Sequence, residues 1–191
     1  ATMVGSTISA TNGVLFKGAD VLEKARDVDT VVFDKTGTLT HGEMELTDVE
    51  VVEPAATDGG VAAVAAEEAD PVDEAFVLGA AASAESGSEH PLAEAIVDAA
   101  RERELELAEP TEFENVPGHG VRAESEYGET LIGNRKLMAD NGIDPEPAAE
   151  TMQRLESEGK TAMLVATDGR LVGVVATADT VRESAKETVA E

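Results

Sequence analysis

Asp34 is followed directly by Lys35, Thr36, Gly37 and Thr38, which places a carboxylate, an ammonium and two hydroxyls around one glycine. The run that ends in this aspartate, Thr30 to Asp34, reads TVVFD. Its β-branched and aromatic content is that of a fully buried strand in a parallel sheet. A carboxylate at the carboxyl end of such a strand faces the crevice where open α/β sheets bind ligands. Gly37 lets the backbone approach an anion closely, and the hydroxyls and N–H groups hold its oxygens. An aspartate so placed can attack a phosphoryl group and form an aspartyl phosphate. Taken as four residues alone, Asp–Lys–Thr–Gly is more often a plain strand-to-loop turn. His90, in the stretch Ser88 to Pro91, is the other candidate. By itself a histidine in the first turn of a helix is more often an exposed bystander.

The elements that must position these residues follow from pattern. Ala1 to Asn12 reads as a weak helix or connecting segment, and Ala19 to Arg26 as a helix with Val21, Leu22 and Ala25 on one face. Glu43 to Val52 alternates like a half-exposed strand. Glu53 to Asp73, rich in Ala, Gly, Asp and Pro, is expected to be a surface loop. Helices are expected over Asp73 to Ala84 and Ser88 to Arg103, the second capped by Ser88 with Pro91 in its first turn. Thr111 to Ile132 reads as antiparallel strands broken at Pro117–Gly120 and Tyr127–Gly128. Asn134 is placed to cap a helix to Asn141, and a further helix spans Glu146 to Glu158 before Gly159. TAMLVAT and RLVGVVAT flank Asp168–Gly169, a two-residue hairpin signal, and a last helix starts near Thr180.

Composition narrows the class. The 191 residues are 42% hydrophobic but only 3% aromatic, so the core is built largely from Ala and Val. Forty acidic against fourteen basic residues give a net charge of −26, which repels nucleic acid and anionic lipid. Such a surface suits a salt-rich cytoplasm, where ions screen the self-repulsion, and a halophilic origin is expected. There is no cysteine, so disulfides and thiolate metal sites are excluded. His41, His90 and His119 do not make a zinc-ligand spacing. No apolar run approaches the ~18 residues of a membrane span, and the chain is expected to be soluble.

Extended to Thr40, the motif at Asp34 reads DKTGTLT. It resembles the phosphorylation signature of the P-type ATPases, ion pumps with a haloacid-dehalogenase-like catalytic domain. The resemblance implies that Asp34 is the phosphorylated nucleophile. It also implies that Thr36 helps to hold the phosphate and Mg²⁺, and that Lys35, Gly37 and Thr38 complete the loop. Ser88 to Pro91, SEHP, resembles the motif of the heavy-metal-transporting branch. In that branch Glu85, five residues before His90, corresponds to a glutamate that contacts adenine. Gly118–His119–Gly120 resembles its Gly–Xaa–Gly turn, and Gly133–Asn134 its Gly–Asn pair. Together Glu85, His90, Gly118, Gly120, Gly133 and Asn134 are the implied ATP site. The assignment makes chemical sense: imidazole stacks on or bonds to adenine, glutamate accepts from its amine, and glycines clear room for ribose and phosphates. The segment from Asn12 to Thr40 is more similar to copper-exporting than to zinc- or cadmium-exporting members.

The resemblance fixes the expected architecture. The fold class is α/β with an α+β insert: a partial haloacid-dehalogenase-like phosphorylation domain carrying an inserted nucleotide-binding domain of antiparallel sheet flanked by helices. The first domain takes residues 1–39, the insert 40–177, and 178–191 begin the return, with Ala178–Thr180 at the second hinge. Relatives continue into Thr–Gly–Asp and Gly–Asp–Gly motifs that supply further Mg²⁺ ligands, and neither motif occurs here. The expectation is therefore nucleotide binding without turnover, with the TVVFD strand short of neighbours. The implied partners are ATP and the rest of the pump, namely its membrane helices, actuator domain and remaining phosphorylation domain, at the cytoplasmic face of the membrane. No nucleic acid is implied. Two other readings are a soluble phosphatase of the same superfamily and a stand-alone nucleotide-binding module. The phosphatase would carry a second aspartate two residues after the nucleophile, where Thr36 stands.

Overall fold

The computed structural model describes residues 2–52 and 72–190. The chain divides into two units, Ala1–Lys35 and Thr36–Glu191. The first unit holds α1 (Thr2–Thr11) and α2 (Ala19–Lys24), the latter tightening into a 3₁₀ turn at Ala25–Asp27. Gly13, at φ 80°, ends α1, and the Val14 N–H returns to the Ser9 carbonyl at 2.9 Å. Residues 28–34 are not a strand, contrary to the reading of TVVFD as a buried one, and Val32 is 90% exposed. The reason is physical. No segment among the described residues pairs with it, and a lone strand has no ladder to satisfy its backbone.

The second unit is built on a six-stranded antiparallel sheet in the order β1-β6-β5-β4-β3-β2. Its strands are β1 (Thr40–Val51), β2 (Glu112–Val116), β3 (Gly120–Ser125), β4 (Gly128–Gly133), β5 (Thr161–Thr167) and β6 (Arg170–Val181). The β5–β6 turn is the two-residue one expected at Asp168–Gly169. Both residues have positive φ, 48° and 75°, the geometry that matches strand twist. β6 continues to Val181, so the last helix begins three residues past Thr180 rather than on it. Asp179 instead pairs with Met44 on β1, and the last helix, α7, is Glu183–Ala190.

Side chains alternate between the faces of this sheet, as period two requires. Ile132, Val165 and Val175 join one core with α3 (Glu74–Glu85) and α4 (Pro91–Glu102). Leu131, Leu164 and Val174 join a second core with α5 (Arg135–Asp140) and α6 (Ala149–Ser157) on the opposite face. The sheet is thus a middle layer between two helix pairs. The small residues predicted to dominate the core let α3 lie close: Ala80, Ala81, Ala82 and Ala84 are fully buried. A Cβ on Gly173 of β6 would meet Val77 of α3 at 2.6 Å. Asp73 caps α3 by accepting from the Phe76 N–H at 2.8 Å. The loop expected over Glu53 to Asp73 lies mostly outside the described residues.

Candidate functional site

α3 ends at Glu85, and α4 begins six residues later on Pro91. Ser88 does not cap α4. The cap is His90, whose Nδ1 accepts from the Leu92 N–H at 3.2 Å, while Ser88 Oγ accepts from the His90 N–H at 3.3 Å. The shift has a steric reason. Pro91 fixes its own φ at the first helical position and holds the residue before it in extended backbone, which is the conformation of a cap. Nδ1 acting as acceptor leaves the proton of a neutral ring on Nε2.

The other wall comes from the sheet. The turn between β2 and β3 carries Gly118, at φ 73°, and His119, whose Nδ1 lies 3.0 Å from the Pro117 carbonyl. β4 ends on Gly133, and Asn134 follows as the cap of α5. Its side-chain oxygen accepts from the Leu137 N–H at 3.0 Å, and its amide donates to the Gly118 carbonyl at 3.1 Å. Asn134 thereby ties the start of α5 to the glycine turn. Two of the glycines are demanded by the chain itself. A Cβ on Gly120 would sit 2.0 Å from the Ile132 carbonyl oxygen, and one on Gly133 would sit 2.2 Å from that of His119. Gly118 has open space around its missing Cβ and is required by its φ alone.

Glu85, His90, Gly118, Gly120, Gly133 and Asn134 all line one cavity of about 310 Å³. The sequence reading did not include Leu92, Asn115, Val116, Val121 or Thr161–Met163, which complete its lining. These are mostly apolar, and all but Leu92, in the first turn of α4, come from strand ends remote in sequence, so no local motif marks them. Glu85 is only 5% exposed, and burial pushes its carboxyl up to about 7, partly offset by a hydrogen bond with the Ser88 side chain. Among the described residues no lysine or arginine lines the cavity. A small, largely apolar pocket with a few polar groups is the usual form of a site for a flat organic ligand.

Asp34 and Lys35 close the first unit, and Thr36, Gly37 and Thr38 open the second. Lys35–Leu39 form a wide irregular turn with Gly37 at φ 75°. The Gly37 N–H donates to Thr40 Oγ1, which in turn donates to Asp179. Asp179 also accepts from the Gly42 N–H at 2.8 Å, and Arg182 Nε donates to the Thr40 carbonyl at 2.8 Å. The two crossings between segments 36–42 and 179–182 are thus held together by side chains. No group of three or more potential cation ligands occurs among the described residues. None of their helices is long and apolar enough to cross a membrane.

Residues 28–191 match the model of the haloacid dehalogenase-like hydrolases. A copper-exporting P-type ATPase of Staphylococcus haemolyticus is 42% identical over 187 residues, which is 98% of this chain and 21% of the relative. One from Staphylococcus aureus is 42% identical over 188 residues. The chain therefore spans about a fifth of the length of these curated relatives. A zinc-transporting PIB-type ATPase superposes with a TM-score of 0.79 at 32% identity, covering 100% of this chain and 28% of that one. The N-domain of a copper-transporting P-type ATPase shares the fold, with a TM-score of 0.52 at 23% identity over 71% of this chain and 99% of that domain. On this evidence the chain belongs to the haloacid dehalogenase-like hydrolase family and is homologous to the catalytic region of P-type ATPases.

Proposed function

We propose that this chain is the ATP-binding and phosphorylation segment of a P-type ATPase that exports a heavy metal, with copper the favoured ion. The observation that carries the reading is the convergence of Glu85, His90, Gly118, Gly120, Gly133 and Asn134 on one cavity. They come from separate stretches of sequence, and the fold brings them to line one space. At about 310 Å³ the cavity is at the small end for ligand sites. It suits the base and ribose of a nucleotide, with the phosphates extending outward past the glycine turn. Residues 40–177 form the nucleotide domain in this reading, and 1–39 with 178–191 belong to the phosphorylation domain.

The chemistry in the whole pump follows from Asp34. Its carboxylate oxygen attacks the γ-phosphorus of ATP, the bond from that phosphorus to the bridging oxygen breaks, and ADP leaves. Glu85 and His90 hold the base, and the glycine turn lets the backbone lie against the ribose and phosphates. Asp34 and Thr36 offer carboxylate, hydroxyl and carbonyl oxygens, a donor set suited to a hard cation such as Mg²⁺, which when bound neutralises charge on the transferring group. Thr36 stands where a phosphatase of this superfamily carries its acid–base aspartate, so the phosphoenzyme is long-lived. Copper is favoured because the similar curated exporters transport it. The remaining partners are the membrane helices, the actuator domain and the rest of the phosphorylation domain, at the cytoplasmic face of the membrane.

Calorimetric titration of the chain with ATP and with GTP, at high salt, tests the site. ATP is expected to bind preferentially, and His90→Ala and Glu85→Ala are each expected to weaken it by about tenfold or more, roughly 1.4 kcal/mol. A folded chain that binds no ATP removes the cavity assignment and leaves only the motif at Asp34.

A further inference from the structure

Glu85 is a buried carboxyl in a cavity that no lysine or arginine among the described residues lines. It is the last residue of α3, 5% exposed, and its one side-chain partner is Ser88. It takes part in none of the ion pairs among the described residues. The titratable groups facing it across the cavity are His90, at the start of α4, and His119, in the β2–β3 turn. β3, β4 and β5 contribute none, and β1 and β6, the other strands under α3, add no residue to the lining. Lys160, just before β5, is held by Asp48 and Glu158 at 2.7 Å each. Among the described residues no lysine or arginine faces the carboxyl, and a desolvated carboxyl without such a partner favours its neutral form.

The two protonation states present different patterns to a purine. A neutral carboxylic acid offers one O–H donor beside one C=O acceptor, whereas a carboxylate only accepts. Adenine offers an N6 amine donor beside a ring-nitrogen acceptor, which is complementary to the neutral acid through two hydrogen bonds. Against a carboxylate, adenine makes one such bond and sets its ring lone pair against the second oxygen. Guanine pairs with a neutral acid through O6 and N1–H, and its N1–H and N2–H donors, side by side, are both accepted by a carboxylate, so ionisation takes no bond from guanine.

We propose that Glu85 holds adenine as a neutral acid, so that its ionisation removes a bond to adenine that guanine does not lose and erodes the preference for ATP over GTP. This rests on the nucleotide reading of the cavity and adds to it a mechanism of specificity coupled to pH. The carboxyl stands at about 7, inside the range that a cytoplasm traverses, so the selectivity is adjustable under working conditions.

The experiment is calorimetric titration of the chain with ATP and with GTP from pH 6 to pH 8.5, for wild type, Glu85→Gln and Ser88→Ala. In wild type, ATP affinity is expected to fall by about tenfold between pH 6 and pH 8, while GTP affinity does not fall with it. Glutamine carries a fixed donor beside a fixed acceptor, so Glu85→Gln is expected to hold a flat ATP-to-GTP preference over the range. It retains both imidazoles and meets the same nucleotide phosphates, so a pH dependence surviving in it belongs to those groups. Ser88→Ala removes the hydrogen bond that favours the ionised form, and is expected to move the loss of preference to higher pH. A flat preference in wild type, an equal decline in Glu85→Gln, or an unmoved transition in Ser88→Ala overturns the inference and leaves the nucleotide site standing. Absence of ATP binding by the folded wild type at every pH overturns both.

Discussion

At the scale of the residue, the same carboxyl that faces the cavity also sets a cost on the fold. Its burial raises its pKa from an ordinary 4.5 to about 7, so between those values the folded chain holds a proton that the unfolded chain has released. The stability Glu85 contributes is therefore fully present below about 4.5 and lost as pH rises through about 7. Glu85→Gln carries no such linkage. Urea denaturation at pH 5 and pH 8 is expected to show the variant gaining on wild type with pH, by an amount on the order of 3 kcal/mol at most. An equal pH response in the two proteins would mean the carboxyl is solvated in the fold. The glycines show a different division of labour. Gly118, Gly120 and Gly133 read as room for a nucleotide, yet Gly120 and Gly133 are already required by contacts between β3, β4 and the β2–β3 turn. Ligand access and chain packing demand the same missing Cβ there, so residue type alone could not separate them.

At the scale of the element, His90 has two tasks that substitution can pull apart. It caps α4 through Nδ1, and it presents the rest of its ring to the cavity. His90→Ala is expected to cost about 1 kcal/mol of stability, and His90→Asn, a strong capping residue, is expected to restore most of it. If the imidazole is what holds the base, both variants lose ATP affinity alike. Recovery of binding in His90→Asn would reduce the histidine to a helix cap. Helix and strand placement was otherwise legible where a local device fixed it: Asn134 as a cap, Asp168–Gly169 as a hairpin turn, and the alternation that splits the sheet's side chains between two cores. It failed where partners decide. TVVFD has strand chemistry but no pairing among the described residues, and its apolar side chains stand exposed. Thr180 ends the hinge stretch, yet β6 runs one residue past it because β1 lies alongside to pair with it, and the helix starts only at Glu183. Only then does Asp179 reach Thr40 and Gly42, a tie between residues far apart in sequence that no local pattern announces.

At the scale of the whole molecule, a charge of −26 on 191 residues makes the solvent part of the stability argument. Raising ionic strength from about 0.1 M to 1 M shortens the Debye length from roughly 10 Å to 3 Å, which screens self-repulsion between exposed carboxylates. Thermal denaturation across that range is expected to show a rising midpoint, and ATP, itself an anion, is expected to associate faster with added salt. A flat or falling midpoint would show that the carboxylates are spaced too widely to repel one another. The charge follows from composition and the family motif at Asp34 from residues at short, specified spacings, so both are legible in the order of amino acids alone. The sequence likewise determined the insert's antiparallel character, since turn residues and two-residue alternation act locally. Tertiary structure alone decided that Glu85 would be buried away from every lysine and arginine among the described cavity residues, and that apolar residues from β2, β3 and β5 would close the cavity around it. It alone tied the Gly37 loop to Asp179 through Thr40. Burial and long-range pairing depend on what lies alongside in space, and that is set only when the sheet has assembled.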